Sequence, residues 1–202
     1  MSENGLELGC SCGAVALRLE PKGVATGSRL RCYCIDCQTA ARYLGYALPA
    51  HGGTELIQST PDRVSVLKGQ DKLGILRLSP NGLIRWYATC CNTPMLNMIR
   101  KPGLPFVGLV LHDAELQQAD RQMGPNRGHV FTKHARKGQG APAKDVNFNS
   151  IGLNIVKRML GAYLTGRHRK NPFVSPTGGW PVTPKVLTIE ERAAASKAVG
   201  TG

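Results

Sequence analysis

Seven cysteines in three short clusters most constrain what this 202-residue chain can fold into. An odd number cannot all pair within one chain, and cysteines only two residues apart rarely reach disulfide geometry. The N-terminus lacks the basic start and apolar run of a secretory signal, so we expect a cytoplasmic protein. In a reducing compartment, clustered cysteines indicate metal binding or thiol chemistry. The clusters are Cys10 with Cys12, Cys32 with Cys34 and Cys37, and Cys90 with Cys91.

The second cluster is the strongest metal-binding signal. Its C-x-C-x-x-C spacing supplies three sulfurs from six residues, and Zn²⁺ favours four such ligands in a tetrahedron. One coordination position is then left for another residue, a water or a substrate thiol, as in catalytic zinc sites. The alternative role for any single cysteine is that it packs as a small buried hydrophobic residue. We therefore expect Cys32, Cys34 and Cys37 to hold a working zinc.

The first 112 residues have the pattern of a β domain. Val15, Leu17 and Leu19 alternate with polar or small residues, and short apolar runs follow, separated by Gly, Pro, Asn and Asp. Such spacing predicts a mainly β fold with an antiparallel sheet. No stretch of 18 apolar residues is present, so we expect no transmembrane segment. The predicted strands are Tyr43–Leu48, Val64–Leu67, Ile75–Leu78, Leu83–Tyr87, Met95–Ile99 and Phe106–Leu111.

The net charge of +13 is concentrated in the second half of the chain. Residues 121–170 contain 11 Lys or Arg and one acidic residue, Asp145, for a net of +10. Residues 113–202 are accordingly predicted to form a basic, partly helical extension that packs on the β domain of residues 1–112. Non-specific polyanion binding through 121–170 is expected from this charge, with nucleic acid or anionic lipid headgroups as candidates.

Two further helices are predicted in this extension, after a short one near the start of 113–147. Ser150 is the predicted cap of the first, whose apolar stripe runs from Ile151 to Leu164 and which Gly166 ends. That stripe would suit packing on the β domain, a second subunit in a homo-oligomer, or a membrane surface. Thr188 begins a capping-box pattern that predicts a helix to about Val199.

Three ordered motifs resemble the glutathione-dependent formaldehyde-activating enzyme family, which includes the centromere protein V-like proteins. They are residues 9–17 (GCSCGAVAL), 32–38 (CYCIDCQ) and 90–96 (CCNTPML). The resemblance covers roughly residues 5–112. It implies a tent-like, β-rich fold with two zinc sites, one closed and structural, the other open and linked to carbon–sulfur chemistry. The family reaction it implies joins formaldehyde to the glutathione thiol to give S-hydroxymethylglutathione.

Carried over by position, the resemblance implies that Cys10, Cys12 and Cys91 belong to the closed site and that Cys32, Cys34 and Cys37 form the open one. The family's remaining closed-site cysteine falls on Ala88, and Asn92 replaces its usual glycine. Three arrangements stay open: a four-sulfur site that includes Cys90, a three-sulfur site with water or histidine, or no structural zinc. A fourth places Cys90 at the other site. One or two Zn²⁺ per chain are thus expected.

The leading functional hypothesis is a zinc-dependent carbon–sulfur lyase-like protein acting on a small thiol adduct. At the open site, zinc would hold the substrate thiol as the nucleophilic thiolate. Two other classes stay open: a non-catalytic zinc module whose basic segment binds nucleic acid or another anionic partner, and a redox or metal sensor using Cys90 and Cys91.

For each of several polar residues near the motifs, both a functional role and a structural or surface role are open. Arg31, Arg42 and Arg85 could bind substrate carboxylates, but we favour solvated surface positions for them. Asp36 could orient a ligand, and capping a turn is the favoured role. His51 and His112 are the histidines nearest the motifs, and a lone histidine is more often structural than a ligand.

Overall fold

Eleven strands and five helices make up the computed structural model, which describes residues 5–197. The strands are β1 (Leu6–Gly9), β2 (Ala16–Leu19), β3 (Ser28–Cys32), β4 (Thr54–Ser59), β5 (Val64–Lys68), β6 (Leu73–Arg77), β7 (Ile84–Ala88), β8 (Pro94–Met98), β9 (Val107–Leu111), β10 (His129–Val130) and β11 (Lys185–Val186). The helices are α1 (Pro21–Thr26), α2 (Ile35–Tyr43), α3 (Asp113–Met123), α4 (Phe148–Leu164) and α5 (Ile189–Lys197).

Two sheets organise the strands. The smaller has the order β1-β2-β5, and the larger has the order β10-β3-β4-β9-β8-β7-β6-β11. Every pairing among β1 to β9 is antiparallel, which confirms the mainly β prediction for the first part. The two short edge strands β10 and β11 pair in parallel with β3 and β6. Both come from the basic half, so that half completes the two edges of the sheet.

The large sheet is apolar on both faces. Leu6, Leu17 and Leu19 of the small sheet pack in one core cluster with Ile57 and Leu109 of the large one. Neighbouring residues of the same central strands point the other way and form a second cluster. That second cluster contains Leu30, Cys32, Cys37, Leu56, Val110, Val130 and Ile151. The period of two along β3 thus places Cys32 on the face opposite the small sheet, and Cys37, in the first turn of α2, packs in the same cluster.

The predicted strand Tyr43–Leu48 is wrong. Helix α2 extends to Tyr43, and no strand occupies 44–48 of the described chain. The helix starts where the cysteine cluster bends the backbone: Cys34 is its N-cap, and its Sγ accepts the Cys37 N–H at 3.3 Å. After α2, residues 44–48 form a turn and an irregular segment, so their alternating apolar side chains do not belong to a strand.

The other strand predictions fall on β2 and β5 to β9 within two residues. Strands β1, β3, β4, β10 and β11 were not predicted. In β3, Arg29 and Arg31 alternate with Leu30 and Cys32, a period-two pattern that could have identified it. In β4, five of the six residues are buried, so no alternation is visible.

The three predicted helices of the second half are present as α3, α4 and α5. Helix α4 begins at Phe148, with Asn147 as N-cap, so the Ser150 cap is wrong; the Ser150 hydroxyl donates to the Asn147 carbonyl instead. Gly166 follows the end of α4 with a φ of 70°, as predicted for a helix-terminating glycine. Thr188 and Glu191 form the predicted capping box of α5, while Val199 lies outside the described residues.

Helices of the second half pack at several places on the β structure. Helix α3 contacts β1 and β9, α4 contacts β3 and β4, and α5 packs against α2. Within residues 5–197, no helix combines the length and the apolar character required to cross a bilayer.

Candidate metal centres

Four cysteines from two hairpin turns converge at one end of the molecule. The turn between β1 and β2 presents Cys10 and Cys12, and the turn between β7 and β8 presents Cys90 and Cys91. The first turn closes through the Cys10 N–H donating to the Val15 carbonyl at 3.0 Å. The two turns are joined by Thr93, whose Oγ1 accepts the Ser11 N–H and donates to the Ser11 Oγ, both at 3.0 Å.

The four sulfurs have the separations of a tetrahedral metal site. The Sγ distances are 3.5 Å for Cys10–Cys12, 3.9 Å for Cys10–Cys90, 3.3 Å for Cys12–Cys90 and 3.8 Å for Cys90–Cys91. All four Sγ atoms lie within 4.8 Å of one another. A Zn–S bond of 2.3 Å gives a tetrahedral edge of about 3.8 Å. This donor set therefore fits a single ion with four thiolates, the arrangement expected of a structural site.

The turn also shows how adjacent cysteines can face the same ion. On an extended strand Cys90 and Cys91 would point to opposite faces, but they occupy an irregular turn closed by the Ala88 N–H donating to the Thr93 carbonyl at 2.9 Å. Asn92 has a φ of 56°, a left-handed conformation that glycine and asparagine tolerate best. Of the arrangements left open by the sequence, the geometry favours the four-sulfur group that includes Cys90.

Two thiols of this group have perturbed pKa values. The Cys12 thiol beside Cys90 raises the pKa of Cys90 to about 12. Burial raises the pKa of Cys91, but hydrogen bonds with Ser11 and Thr93 outweigh it and lower the pKa to about 5. This lowered pKa favours the thiolate form of Cys91. Binding of a metal ion would remove the protons of the other thiols in the group.

Cys32, Cys34 and Cys37 form a second group, on the face of the large sheet opposite the small one. Cys32 ends β3, Cys34 caps α2 and Cys37 lies in the first turn of that helix. The three Sγ atoms lie within 4.8 Å of one another, and the Cys37–Cys32 separation is 3.9 Å. Among the described residues no fourth His, Cys, Asp or Glu joins this group, so its donor set leaves one tetrahedral position free.

Arg85 supplies a buried positive charge beside this trithiol group. It is only 6% exposed, and its Nη1 lies 3.9 Å from the Cys37 Sγ and donates to the Asn97 Oδ1 at 3.2 Å. Hydrogen bonds from Cys32 and Cys34, together with the positive charge of Arg85, hold the pKa of Cys37 well below its usual range. Burial of the thiol opposes this shift but is outweighed. The solvated surface position favoured for Arg85 is therefore wrong. Sequence reasoning missed Asn97, a polar residue within an otherwise apolar strand.

Two cavities meet at the trithiol group. One, of about 500 Å³, is lined by all three cysteines and, among others, by Phe131, Lys133 and His134. The other, of about 380 Å³, lies under helix α2 and the loop that follows it. Cys37, Arg85 and Asn97 line both. Cys32 and Cys37 are buried and Cys34 is half-buried, so the larger cavity adjoins the group and has the volume of a small-molecule site.

The other residues considered from sequence have structural partners. Arg31 pairs with Glu55 at 3.0 Å, and Arg42 donates to the Ala195 carbonyl at 3.1 Å. Asp36 caps nothing: it lies in the first turn of α2, 3.3 Å from Arg192 and 4.0 Å from Arg85.

Both histidines have structural roles, as favoured from sequence. The His51 Nδ1 accepts the Gly53 N–H at 3.0 Å. His112 contacts the Tyr46 hydroxyl and the Pro94 carbonyl at 2.6 and 2.9 Å. Neither histidine belongs to a cysteine group found within residues 5–197.

Comparison with known proteins identifies the family but no activity. A family model described as a family of unknown function, DUF6151, matches residues 1–185. The chain belongs to this family. No curated protein matches this chain. A crystal structure of a Rhodobacter sphaeroides protein is 19% identical to it, with a TM-score of 0.37, and the match covers 56% of this chain and 94% of that one.

Proposed function

We propose that Cys32, Cys34 and Cys37 hold Zn²⁺ with one position left for substrate, and that the protein makes and breaks the carbon–sulfur bond of a small thiol adduct such as S-hydroxymethylglutathione. The observation that carries the proposal is the contrast between the two cysteine groups. One offers four sulfurs and completes a tetrahedron, while the other offers three and faces a cavity of about 500 Å³.

The resemblance to the formaldehyde-activating family supports the same assignment. The two cysteine groups bring together the positions that the three motifs imply, with Cys90 in the place left by Ala88. We extend the proposal to a tent-like arrangement of residues 1–112, to a basic helical extension over 113–202, and to zinc as the metal. All-thiolate tetrahedral sites are typical of zinc or iron, and zinc suits the proposed chemistry because it is a Lewis acid without redox activity.

The chemistry needs a thiolate sulfur and a proton path at the carbonyl oxygen. Zinc, when bound, supplies a Lewis acid at which a thiol loses its proton. In the forward direction the substrate sulfur forms a bond to the aldehyde carbon, the C=O π pair moves to oxygen, and that oxygen takes a proton. In reverse the hydroxyl loses its proton, an oxygen electron pair re-forms the C=O π bond, and the C–S bond breaks with its electron pair kept by the sulfur.

Residues of the chain position this reaction. Arg85 offsets the negative charge of three thiolates and is held in place by Asn97. Lys133 lines the larger cavity and offers a cation to the carboxylates of a peptide thiol. Phe131, Leu83 and Ile35 give the same cavity apolar walls, which limit water near the sulfurs.

Exchange NMR of the glutathione–formaldehyde equilibrium tests the proposal. We expect the zinc-loaded protein to accelerate interconversion of glutathione and its hydroxymethyl adduct, and the Cys34→Ser variant to lose the acceleration. The Cys91→Ser variant, which changes only the four-sulfur group, is the matched control and should keep it as long as circular dichroism shows a folded protein. Equal exchange rates with and without native protein would refute this activity.

A non-catalytic zinc module is the second candidate, and one observation favours it. Apart from Lys133, the cations that give residues 121–170 their net charge of +10 have no role in the reaction above, and they suit an anionic partner. The same experiment separates the two candidates. Two bound zinc ions without any acceleration of exchange would favour the non-catalytic module.

A further inference from the structure

Helix α4 packs on the sheet through one face only. Ile151 and Ala162 are buried. Arg158 fixes the orientation of the helix by donating to the Thr26 carbonyl at 3.0 Å and to the Ser28 hydroxyl at 2.9 Å. Near the other end of the helix, the Tyr163 hydroxyl donates to the Gly103 carbonyl at 2.9 Å. These contacts determine which side chains of α4 point away from the protein.

The outward face of α4 is an apolar ridge, formed by Leu153, Val156, Leu160 and Leu164. Each is between 55% and 79% exposed. Steps of three, four and four residues place them in one line along the helix, over about 16 Å at 1.5 Å per residue. At the start of α4, Phe148 is also exposed and contacts the exposed Phe131, with ring centroids 5.7 Å apart. A surface helix normally carries polar side chains on this face, so the ridge indicates a binding surface.

Positive charge surrounds the ridge. Lys157 is exposed on α4 itself, Lys144 precedes the helix, and Arg169 and Lys170 follow it. Asp145, the one acidic residue in 121–170, has its carboxylate engaged by the Thr132 N–H and hydroxyl at 2.8 and 2.7 Å. The segment that carries the ridge therefore has a large excess of positive charge.

An occupant of this surface must be both apolar and anionic. A second copy of the chain would cover the ridge but would bring two segments of net +10 together. A nucleic acid would satisfy the charge but would set phosphates against four leucine and valine side chains. An anionic bilayer offers acyl chains to the ridge and phosphate or carboxylate headgroups to the cations.

We propose that α4 binds the surface of an anionic lipid bilayer, with Leu153, Val156, Leu160 and Leu164 inserted at the level of the headgroups. The helix lies in the plane of the membrane, which requires no spanning segment. The ridge lies on the opposite side of α4 from Ile151, which packs in the cluster of Cys32 and Cys37, and the inference does not depend on the proposed catalytic function.

Vesicle flotation of the full-length, zinc-loaded protein tests the proposal. We expect binding to phosphatidylcholine vesicles that contain about 30 mol % phosphatidylserine, little binding to phosphatidylcholine alone, and weakening at high salt. The Val156→Gln/Leu160→Gln double variant should reduce binding at least about tenfold, because two apolar side chains no longer enter the bilayer. Lys157→Gln should reduce it about fivefold.

A matched control changes exposed apolar residues elsewhere. Leu67→Gln/Ile189→Gln replaces one residue on β5 and one on α5 and should bind vesicles as the native protein does. Thermal melting and zinc content should be the same in all variants, because every altered side chain is exposed.

Four results would overturn the proposal. The first is the absence of native binding to anionic vesicles. The second is native-like binding by the Val156→Gln/Leu160→Gln variant. The third is a lipid-independent dimer that the same variant abolishes, which would assign the ridge to a second copy of the chain. Binding of duplex nucleic acid in place of vesicles would likewise refute it.

Discussion

Arg85 is the residue whose position says most about the trithiol group. It is buried, and its guanidinium faces the Cys37 sulfur and Asn97. We expect Arg85→Met to weaken zinc binding at this group about tenfold or more, as loss of a residue that supports metal ligands typically does. Arg85→Lys, which keeps the charge, should lose less. Competition with a chromophoric chelator measures both affinities, and unchanged zinc affinity in Arg85→Met would contradict the assigned role.

His112 links the start of α3 to the strand after the four-cysteine turn. Burial lowers its pKa, and the Tyr46 hydroxyl and the Pro94 carbonyl both contact its ring in the neutral form. Between that lowered pKa and the ordinary value of about 6.5, the unfolded chain binds a proton that the folded chain does not. Stability from His112 is therefore complete above about pH 6.5 and is lost as the pH falls.

Urea unfolding at several pH values checks this expectation. The free energy of unfolding should decrease from about pH 7.5 to 5.5, and His112→Gln should show a shallower decrease. The pKa values of His51 and His129 are also lowered by burial, so the variant should keep part of the slope. An identical slope in the two proteins would rule out a contribution from His112.

At the scale of elements, the helix that supports the trithiol group depends on a cap far along the chain. The Thr188 hydroxyl accepts the Glu191 N–H at 3.1 Å, and the Glu191 carboxylate accepts the Thr188 N–H at 2.9 Å. Helix α5 packs on α2, where the Thr39 and Ser196 hydroxyls are 3.1 Å apart. We expect Thr188→Ala to lower the free energy of unfolding by about 1 kcal/mol. Thr183→Ala, at an exposed loop position, is the control in the same urea titration and should change little.

The helices and strands also show where pattern reading works. Strands β5 to β9 have clear apolar runs between turn residues, and α4 has a helical apolar period, so sequence alone locates them. Helix α2 was missed because its start is set by the Cys34 sulfur, a contact made by the cysteine cluster rather than by propensity. The period that located α4 predicted one apolar stripe from Ile151 to Leu164, whereas the structure buries Ile151 and leaves Val156, Leu160 and Leu164 exposed.

At the scale of the whole molecule, the two cysteine groups should differ in what their loss does. Cys10 and Cys12 lie about 80 positions from Cys90 and Cys91 in the chain, so an ion among them links two distant hairpins. We expect two zinc ions per native chain, and one each for Cys12→Ser and Cys34→Ser. Elemental analysis with thiol counting measures this stoichiometry.

Stability should separate the same two variants. Cys12→Ser should lower the melting temperature by at least about 5 °C more than Cys34→Ser does, because the four-sulfur group joins two turns whereas the trithiol group spans six residues. Cys34→Ser serves as the control for losing one thiol and one metal. Equal losses of melting temperature would show that the four-sulfur group does not link the hairpins.

The sequence alone determined the local features: the three cysteine clusters, most of the strands, the helices of the second half and the concentration of charge in 121–170. These depend on spacing, periodicity and composition, which are properties of short windows. The tertiary structure decided what those windows cannot contain. It brings Cys90 beside Cys10 and Cys12, buries Arg85 against Cys37, and turns one side of α4 outward. Each of these depends on where distant strands meet, and strand pairing brings together residues that no local pattern relates.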